Sequence, residues 1–356
     1  MGKRQELKRL YGELKTIFSS AKRKMKKLVI LFLLITGFVY SQNTNITFIP
    51  TGGKTLADLQ SPGTAVQIIQ DKNNPQNLHA VYMTSPFSDS TTFNQRTVKY
   101  YFSSDFGQTW NFVRELNQIS KAGFPSVSVL SNGSAIISLH GNAPKKSYTF
   151  ADLLPGLGSF TELGTSDCFG RTPQVLGLNY TSQLTKFYLI NSAGFSRGLS
   201  VSQPSFSPCM EISGLNPDSY SIAAGSDGRV GIAYIIDPAQ LEGNSGDVFF
   251  MESTDEGVTF STPVKLYDAV INTEESFFVG AFRGISLVYS GNTPNVVFEI
   301  AKQTLASSFY PKAPGGIVYW SPNNPGANPN KCKYIARNDS CSSRAYIPFY
   351  PAYGND

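Results

Sequence analysis

Beyond residue 42, hydrophobic and polar positions alternate in short runs, and no segment sustains the i, i+3, i+4, i+7 apolar spacing of an amphipathic helix. Gly, Asn, Asp, Ser and Pro bound these runs, as they do where strands end in turns. The pattern predicts a nearly all-β chain. One stretch repeats without a gap: Ser126-Val127-Ser128-Val129-Leu130-Ser131-Asn132-Gly133-Ser134-Ala135-Ile136-Ile137-Ser138 aligns with Ser221-Ile222-Ala223-Ala224-Gly225-Ser226-Asp227-Gly228-Arg229-Val230-Gly231-Ile232-Ala233. In each, an apolar strand meets Asn-Gly or Asp-Gly and a second strand returns, which predicts a tight hairpin with a two-residue type I′ turn. The offset of 95 residues is two units of about 48, near the roughly 40–50 residues of a four-stranded propeller blade.

Weaker copies fill the intervals. Val66-Gln67-Ile68-Ile69 turns through Asn73-Asn74-Pro75 into residues 78–83; Gln174-Val175-Leu176 precedes Lys186-Phe187-Tyr188-Leu189-Ile190; Val279-Gly280-Ala281 precedes Val296-Val297-Phe298. Five inner hairpins therefore follow one another. The expected fold is an all-β propeller of four-stranded antiparallel blades, five recognisable, with a partial sixth beginning at Ala345-Tyr346-Ile347-Pro348-Phe349. Either Ile46-Thr47-Phe48-Ile49 helps close the ring or the sequence lacks its C-terminal end.

Two octapeptides obey a stricter rule. Ser103-Ser104-Asp105-Phe106-Gly107-Gln108-Thr109-Trp110 and Ser253-Thr254-Asp255-Glu256-Gly257-Val258-Thr259-Phe260 both read Ser-x-Asp-x-Gly-x-Thr-aromatic. Each trails the turn of its inner hairpin by about thirty residues, which places it in the outer hairpin of a blade. The residue types suit a turn: a short carboxylate accepts backbone N–H bonds, Gly takes positive φ, the hydroxyls bond locally and the aromatic tucks under the sheet. This pattern resembles the Asp-box, or BNR, repeat of sialidases and many other secreted β-propellers. The copies sit 150 residues apart, three blades at the inferred period. The resemblance implies that Ser103, Asp105, Gly107, Thr109 and Trp110, with Ser253, Asp255, Gly257, Thr259 and Phe260, form structural turns on the blade periphery, away from the active face. Degenerate versions are expected at Tyr148-Thr149-Phe150-Ala151-Asp152 and Tyr319-Trp320-Ser321-Pro322-Asn323.

Charge changes the picture only at the N-terminus. The 30 basic and 25 acidic residues give +5 overall, but residues 1–27 hold ten Lys or Arg against Glu6 and Glu13, so the remainder is net negative. Nucleic-acid binding by that remainder is not expected. Met25-Lys26-Lys27, the apolar run from Leu28, and Val39-Tyr40-Ser41 before Gln42 form a secretory signal pattern. The uncharged stretch from Leu28 to Tyr40 has 13 residues, short of the ~20 that a membrane-spanning helix needs. The expected organisation is a basic extension over 1–24, which a start at Met25 would explain as a mis-set beginning, a signal peptide over 25–41 cleaved after Ser41, and a propeller domain over 42–356. Secretion or cell-surface display, a bacterial host, a monomer and no transmembrane segment in the mature chain follow as expectations. Export permits disulfides, and Cys168 with Cys209 and Cys332 with Cys341 would close a long and a short loop. The cysteines lack any CxxC spacing, and neither His79 nor His140 lies near them, so no metal and no cofactor are expected.

Candidate chemistry is sparse. A sialidase-like site needs three Arg converging on a substrate carboxylate, a Tyr nucleophile with an acidic partner, and an Asp as acid/base. The resemblance leads one to expect Arg-Ile-Pro on the first inner strand, but Ser61-Pro62-Gly63-Thr64-Ala65-Val66 has no Arg, and the first blade offers only Arg96 and Arg114 beside its outer strands. Arg171, Arg283 and Arg344 lie near the beginnings of inner strands and form the triad to test, with Tyr346 and Tyr350 close to Arg344 and Glu299 as the buried-carboxylate candidate. Blade-to-blade salt bridges and solvated edges serve those Arg equally well. His79 and His140 read as satisfied structural histidines, and the Gly-Leu-Gly at 156–158 as a loop. The leading expectation is an extracellular recognition module for glycan or protein. The alternatives are a sialidase-like exo-glycoside hydrolase with a substituted site, and a structural part of a larger cell-surface protein.

Overall fold

The alternating runs become five antiparallel sheets, each made from consecutive strands, in the computed structural model of the chain. It describes residues 49–52, 66–89, 92–116, 119, 121–142, 145–178, 186–200, 205–236, 246–272, 277–304, 315–323 and 333–338, all within the compact unit Ile49–Asp356. The basic extension, the signal pattern, Cys332, Cys341, Arg344, Tyr346, Tyr350 and the start of a sixth blade lie outside the described residues.

Blade 1 comprises β1 (Ile68–Gln70), β2 (Leu78–Thr84), β3 (Thr97–Ser103) and β4 (Asn111–Leu116). Blade 2 comprises β5 (Gly123–Val129), β6 (Ala135–Asn142), β7 (Lys145–Asp152) and β8 (Phe160–Thr165). Blade 3 holds β9 (Gln174–Gly177), β10 (Phe187–Asn191) and β11 (Gly194–Ser200), edged by the short β12 (Ser205–Phe206) and β13 (Met210–Glu211). Blade 4 holds β14 (Leu215–Ala224), β15 (Val230–Ile236), β16 (Val248–Ser253) and β17 (Val264–Tyr267). Blade 5 adds a strand: β18 (Val270–Asn272) lies against β19 (Phe277–Ser290), followed by β20 (Thr293–Thr304), β21 (Gly315–Trp320) and β22 (Lys333–Asn338). The protein is a β-propeller. Among the described residues its only helix is a 3-10 turn at Phe87–Asp89, and no helix is long and apolar enough to cross a membrane.

Each core cluster joins two successive sheets. Ile137 packs with Val81, Val98 and Tyr100 of blade 1, while its neighbour Ile136 packs with Val175 and Phe187 of blade 3. Ile232 and Ala233 divide in the same way between blades 3 and 5. Successive side chains of a strand point to opposite faces, and both faces are covered, so β6 and β15 are almost wholly buried. Serines stitch the seams: Ser126 and Ser128 accept the N–H groups of Val175 and Gly177 at 2.9 Å, and Ser221 accepts that of Leu287 at 3.0 Å. Ser126 and Ser221 are the first residues of the aligned repeat.

The tight turns differ from the expected two-residue type I′ form. Leu130 N–H bonds the Ser134 carbonyl and Gly225 N–H the Arg229 carbonyl, both at 2.9 Å, which closes three-residue loops. Gly133 (φ 83°) and Gly228 (φ 90°) are left-handed, whereas Asn132 and Asp227 are not. The side chains explain this: Asn132 Oδ1 accepts from Ser134 N–H at 3.0 Å and Asp227 Oδ1 from Arg229 N–H at 3.2 Å, so one positive-φ residue suffices.

Candidate functional site

Turns within the first and the second hairpin of blades 1, 2 and 4, and the β19–β20 turn of blade 5, leave the sheets at one end, here the turn end. These turns touch one another within a blade, where Phe106 N–H bonds the Gln76 carbonyl at 2.9 Å, and between blades, where Ser226 N–H bonds the Gly291 carbonyl at 3.3 Å. Links between blades, and between second and third strands, gather at the opposite end, the link end.

At the turn end the two octapeptides adopt one geometry. Asp105 Oδ1 accepts from the Ser103 hydroxyl at 2.7 Å and Thr109 N–H at 2.9 Å, and Oδ2 from the Thr109 hydroxyl at 2.6 Å. Asp255 repeats these three bonds with Ser253 and Thr259 at 2.7, 2.9 and 2.6 Å. The Thr hydroxyl, then the backbone and Ser donors, hold Asp105 down at about 2 and depress Asp255 as well. Gly107 and Gly257 are left-handed, and so are Phe106 and Glu256, both at φ 60°. The second corner leans on blade 3, where Glu256 pairs with Lys186, its carbonyl accepts from Tyr188 at 3.0 Å, and Phe260 meets Phe195 edge-on at 5.0 Å.

Other charges at this end are likewise spoken for. Asp152, the last residue of β7, accepts the N–H groups of Leu153, Gly158 and Ser159 at 2.9 Å, so an internal carboxylate occupies the Gly-Leu-Gly loop. A cleft of about 470 Å³ lies beside the second corner, lined by Phe250, Glu252, Phe260 and Trp320 among others. Glu252 is paired there with Arg229 at 2.8 Å and with the Tyr289 hydroxyl at 2.6 Å.

The link end of blades 1–3 differs. Arg96 precedes β3, His140 is in the last part of β6, and Arg171 precedes β9. Their charges act on one another: burial first, then the Arg171 charge, lowers the pKa of Arg96 against the opposing charge of Asp89, and burial followed by Arg96 and Arg171 pushes His140 down to about 3. The Phe124 ring links them, 5.8 Å from the Arg96 guanidinium and 4.7 Å from the His140 ring. Asp89, the carboxylate facing Arg96, accepts from Gln95 N–H at 2.6 Å, the Thr92 hydroxyl at 2.5 Å and the Ser85 hydroxyl at 3.2 Å. Among the described residues neither Arg96 nor Arg171 is in an ion pair. Arg96 Nε and His140 Nδ1 are buried without a hydrogen-bond partner, although buried polar atoms almost always have one.

Several candidates from the sequence take other places. Arg283 lies in the bulge of β19 on blade 5, and Glu299 Oε1 accepts the N–H groups of Arg283 and Gly284 at 3.3 and 3.0 Å. Glu299 thus clips a bulge; Arg344 of the expected triad lies outside the described residues, and the cation whose charge acts on Arg96 is Arg171. Neither histidine is wholly satisfied as the sequence suggested: His79 Nδ1 meets the Tyr100 hydroxyl at 2.8 Å, but His79 Nε2 and His140 Nδ1 are both buried without a partner. Cys168 and Cys209 form a disulfide. In sequence Arg96 stands beside the same strand as the first octapeptide; it immediately precedes β3 at the link end, whereas the octapeptide leaves β3 at the turn end.

No family model matches the chain, and no curated relative matches it. Among solved structures it is similar to a Hadza microbial sialidase, with TM-score 0.44 and 10% identity over 68% of this chain and 52% of that one. It is similar to an α-L-arabinofuranosidase from Fusarium graminearum, with TM-score 0.42 and 12% identity over 76% and 82% of the two chains. A polysaccharide lyase, an ulvan lyase, gives TM-score 0.44 and 11% identity over 79% and 74%. The chain thus spans about half the length of the sialidase.

Proposed function

We propose that the protein is an exported propeller of the Asp-box kind that recognises an anionic glycan at the link end of blades 1–3. One observation carries this reading: the charges of Arg96 and Arg171 oppose each other, neither is in an ion pair among the described residues, the oxygens of the nearby Asp89 are taken by its own loop, and Arg96 Nε and His140 Nδ1 are buried without partners. A carboxylate or sulfate group supplies paired, charge-assisted acceptors for guanidinium groups and relieves their mutual repulsion. The shared corner geometry of the two octapeptides supports the Asp-box resemblance, and the Cys168–Cys209 bond supports export, because disulfides persist in oxidising compartments.

Titration calorimetry of the full chain against acidic and matched neutral oligosaccharides tests the reading. Expected is binding of the acidic form alone, weakened at least tenfold by Arg171→Gln and by added salt. Equal affinity for both oligosaccharides, or no loss in Arg96→Gln and Arg171→Gln, would remove it. Turnover of a glycoside reporter that Arg171→Gln abolishes would move the assignment to a hydrolase.

A further inference from the structure

The segment between β8 and β9 is clamped more heavily than a surface link requires. The Cys168 N–H bonds the Ser166 hydroxyl at 3.0 Å, and its carbonyl accepts from Asn191 Nδ2 at 2.8 Å and from Gly170 N–H at 2.9 Å. Its sulfur is bonded to Cys209 beside the outer edge of blade 3. A side chain at Gly170 has no room, since its Cβ would lie 2.2 Å from Asn191 Oδ1. Arg171 N–H bonds the Ser192 hydroxyl at 2.8 Å, and its carbonyl accepts from Ser192 N–H at 3.1 Å. Thr172 follows at φ 51°, a conformation that a β-branched residue rarely adopts. The Tyr220 hydroxyl holds it there, bonding the carbonyls of Thr172 and Arg171 at 2.5 and 3.2 Å. Strain that the surroundings over-determine is a mark of ligand-binding loops.

This clamp presents Asp167, Phe169 and Arg171 to solvent; the ring and the guanidinium are the two groups suited to an anionic sugar, and the carboxylate of Asp167 disfavours a second anion beside it. Phe169 is 63% exposed, a large apolar ring with the Lys146 ammonium 5.3 Å from its centroid. We infer that Phe169 is the stacking face for a pyranose ring whose anionic substituent is held by Arg171 and Arg96, so that the clamped loop selects an acidic sugar over a free anion or a neutral sugar. The inference rests on the anion-binding reading above and adds to it the residue that reads the ring. A rigid aromatic offers contact area at little entropic cost, and a loop fixed beforehand loses little freedom on binding. The shared chemistry is an anionic pyranose, whether the charge is a carboxylate or a sulfate.

The test is calorimetry on the full chain with three probes: a glucuronate-containing tetrasaccharide, a sulfated galactose oligosaccharide, and sodium sulfate. Expected is that Phe169→Ala weakens an acidic oligosaccharide about tenfold, the size of one aromatic contact, and leaves sulfate binding unchanged, while Phe169→Tyr stays within about twofold of the parent. Selectivity between the two oligosaccharides names the acid. If Phe169→Ala binds them as the parent does while Arg171→Gln does not, the stacking face is wrong and the anion site stands. If sulfate binds but neither saccharide does, the stacking face is wrong as well. If Arg171→Gln and Arg96→Gln change nothing, or no probe binds, both fall. A melting curve of Phe169→Ala superimposable on the parent's excludes misfolding as the cause of any loss.

Discussion

At the turn end, carboxylates are saturated: Asp105, Asp255 and Asp152 spend their oxygens on nearby hydroxyls and backbone N–H groups. At the link end of blades 1–3, cations are left wanting: Arg96 and Arg171 repel each other while Asp89 is occupied by its own loop. The difference separates two uses of charge. A short acid whose donors lie within four residues fastens a corner, because the ordering cost is local and small. Arg96 is tied to the next blade by its bond to the Lys121 carbonyl at 3.2 Å and by the Phe124 ring, so the charges of the two guanidinium groups, drawn from different blades and in no ion pair among the described residues, are open to an outside anion.

Acid puts the largest strain on this division. His79 and His140 are buried and neutral, pushed chiefly by burial from 6.5 down to about 4 and about 3. Because the folded values lie below the unfolded one, the unfolded chain binds more protons beneath pH 6.5. Stability is therefore fully present above that pH and falls as pH drops, by about 1.4 kcal/mol per pH unit for each histidine. Between pH 6.5 and 4.5 the two together cost about 5 kcal/mol. Urea midpoints measured over this range, with the two histidine proton resonances as reporters, check the claim; resonances titrating near 6.5 would contradict it.

The disulfide comes next. Replacing Cys168 and Cys209 by Ser frees a 41-residue separation, which costs about 4 kcal/mol in chain entropy and releases the loop that carries Arg171. A lowered melting temperature together with weakened acidic-oligosaccharide binding is expected. An unchanged melting temperature would show the bond to be dispensable.

A pair of substitutions sharpens the comparison with the smallest effects. Asp105→Ala is expected to lower the melting temperature and leave oligosaccharide affinity unchanged. Arg171→Gln is expected to do the reverse, moving stability by less than about 0.5 kcal/mol, as befits an exposed side chain. Loss of binding in Asp105→Ala without loss of stability would exchange the roles of the two ends.

The sheets were readable because the hairpins keep their apolar alternation and their Gly-marked turns in register, as at Ser126–Ser138 and Ser221–Ala233. The turn type was not, because Asn132 and Asp227 act through side-chain oxygen atoms rather than through φ. Phe106 and Glu256 give no sign in sequence that they are left-handed; the hydrogen bonds of the corner impose it. Glu299 misled for a related reason, since only the register shift between Ala281 and Ile285 shows that a bulge needs an acceptor there. The meeting of Arg96, His140 and Arg171 escaped because three blades supply them, and no spacing along one strand encodes which of its ends a neighbouring blade will share.

The serine joints carry a further consequence. Ser126 of blade 2 lends an oxygen forward to Val175 of blade 3, and Ser221 of blade 4 does the same for Leu287 of blade 5, so the coupling recurs with a period of two blades, the even blade accepting and the odd blade donating. A duplicated stretch of this gene spanning the 95-residue offset between Ser126 and Ser221 carries one complete joint with it, so growth by pairs of blades reproduces the seam without inventing a new one.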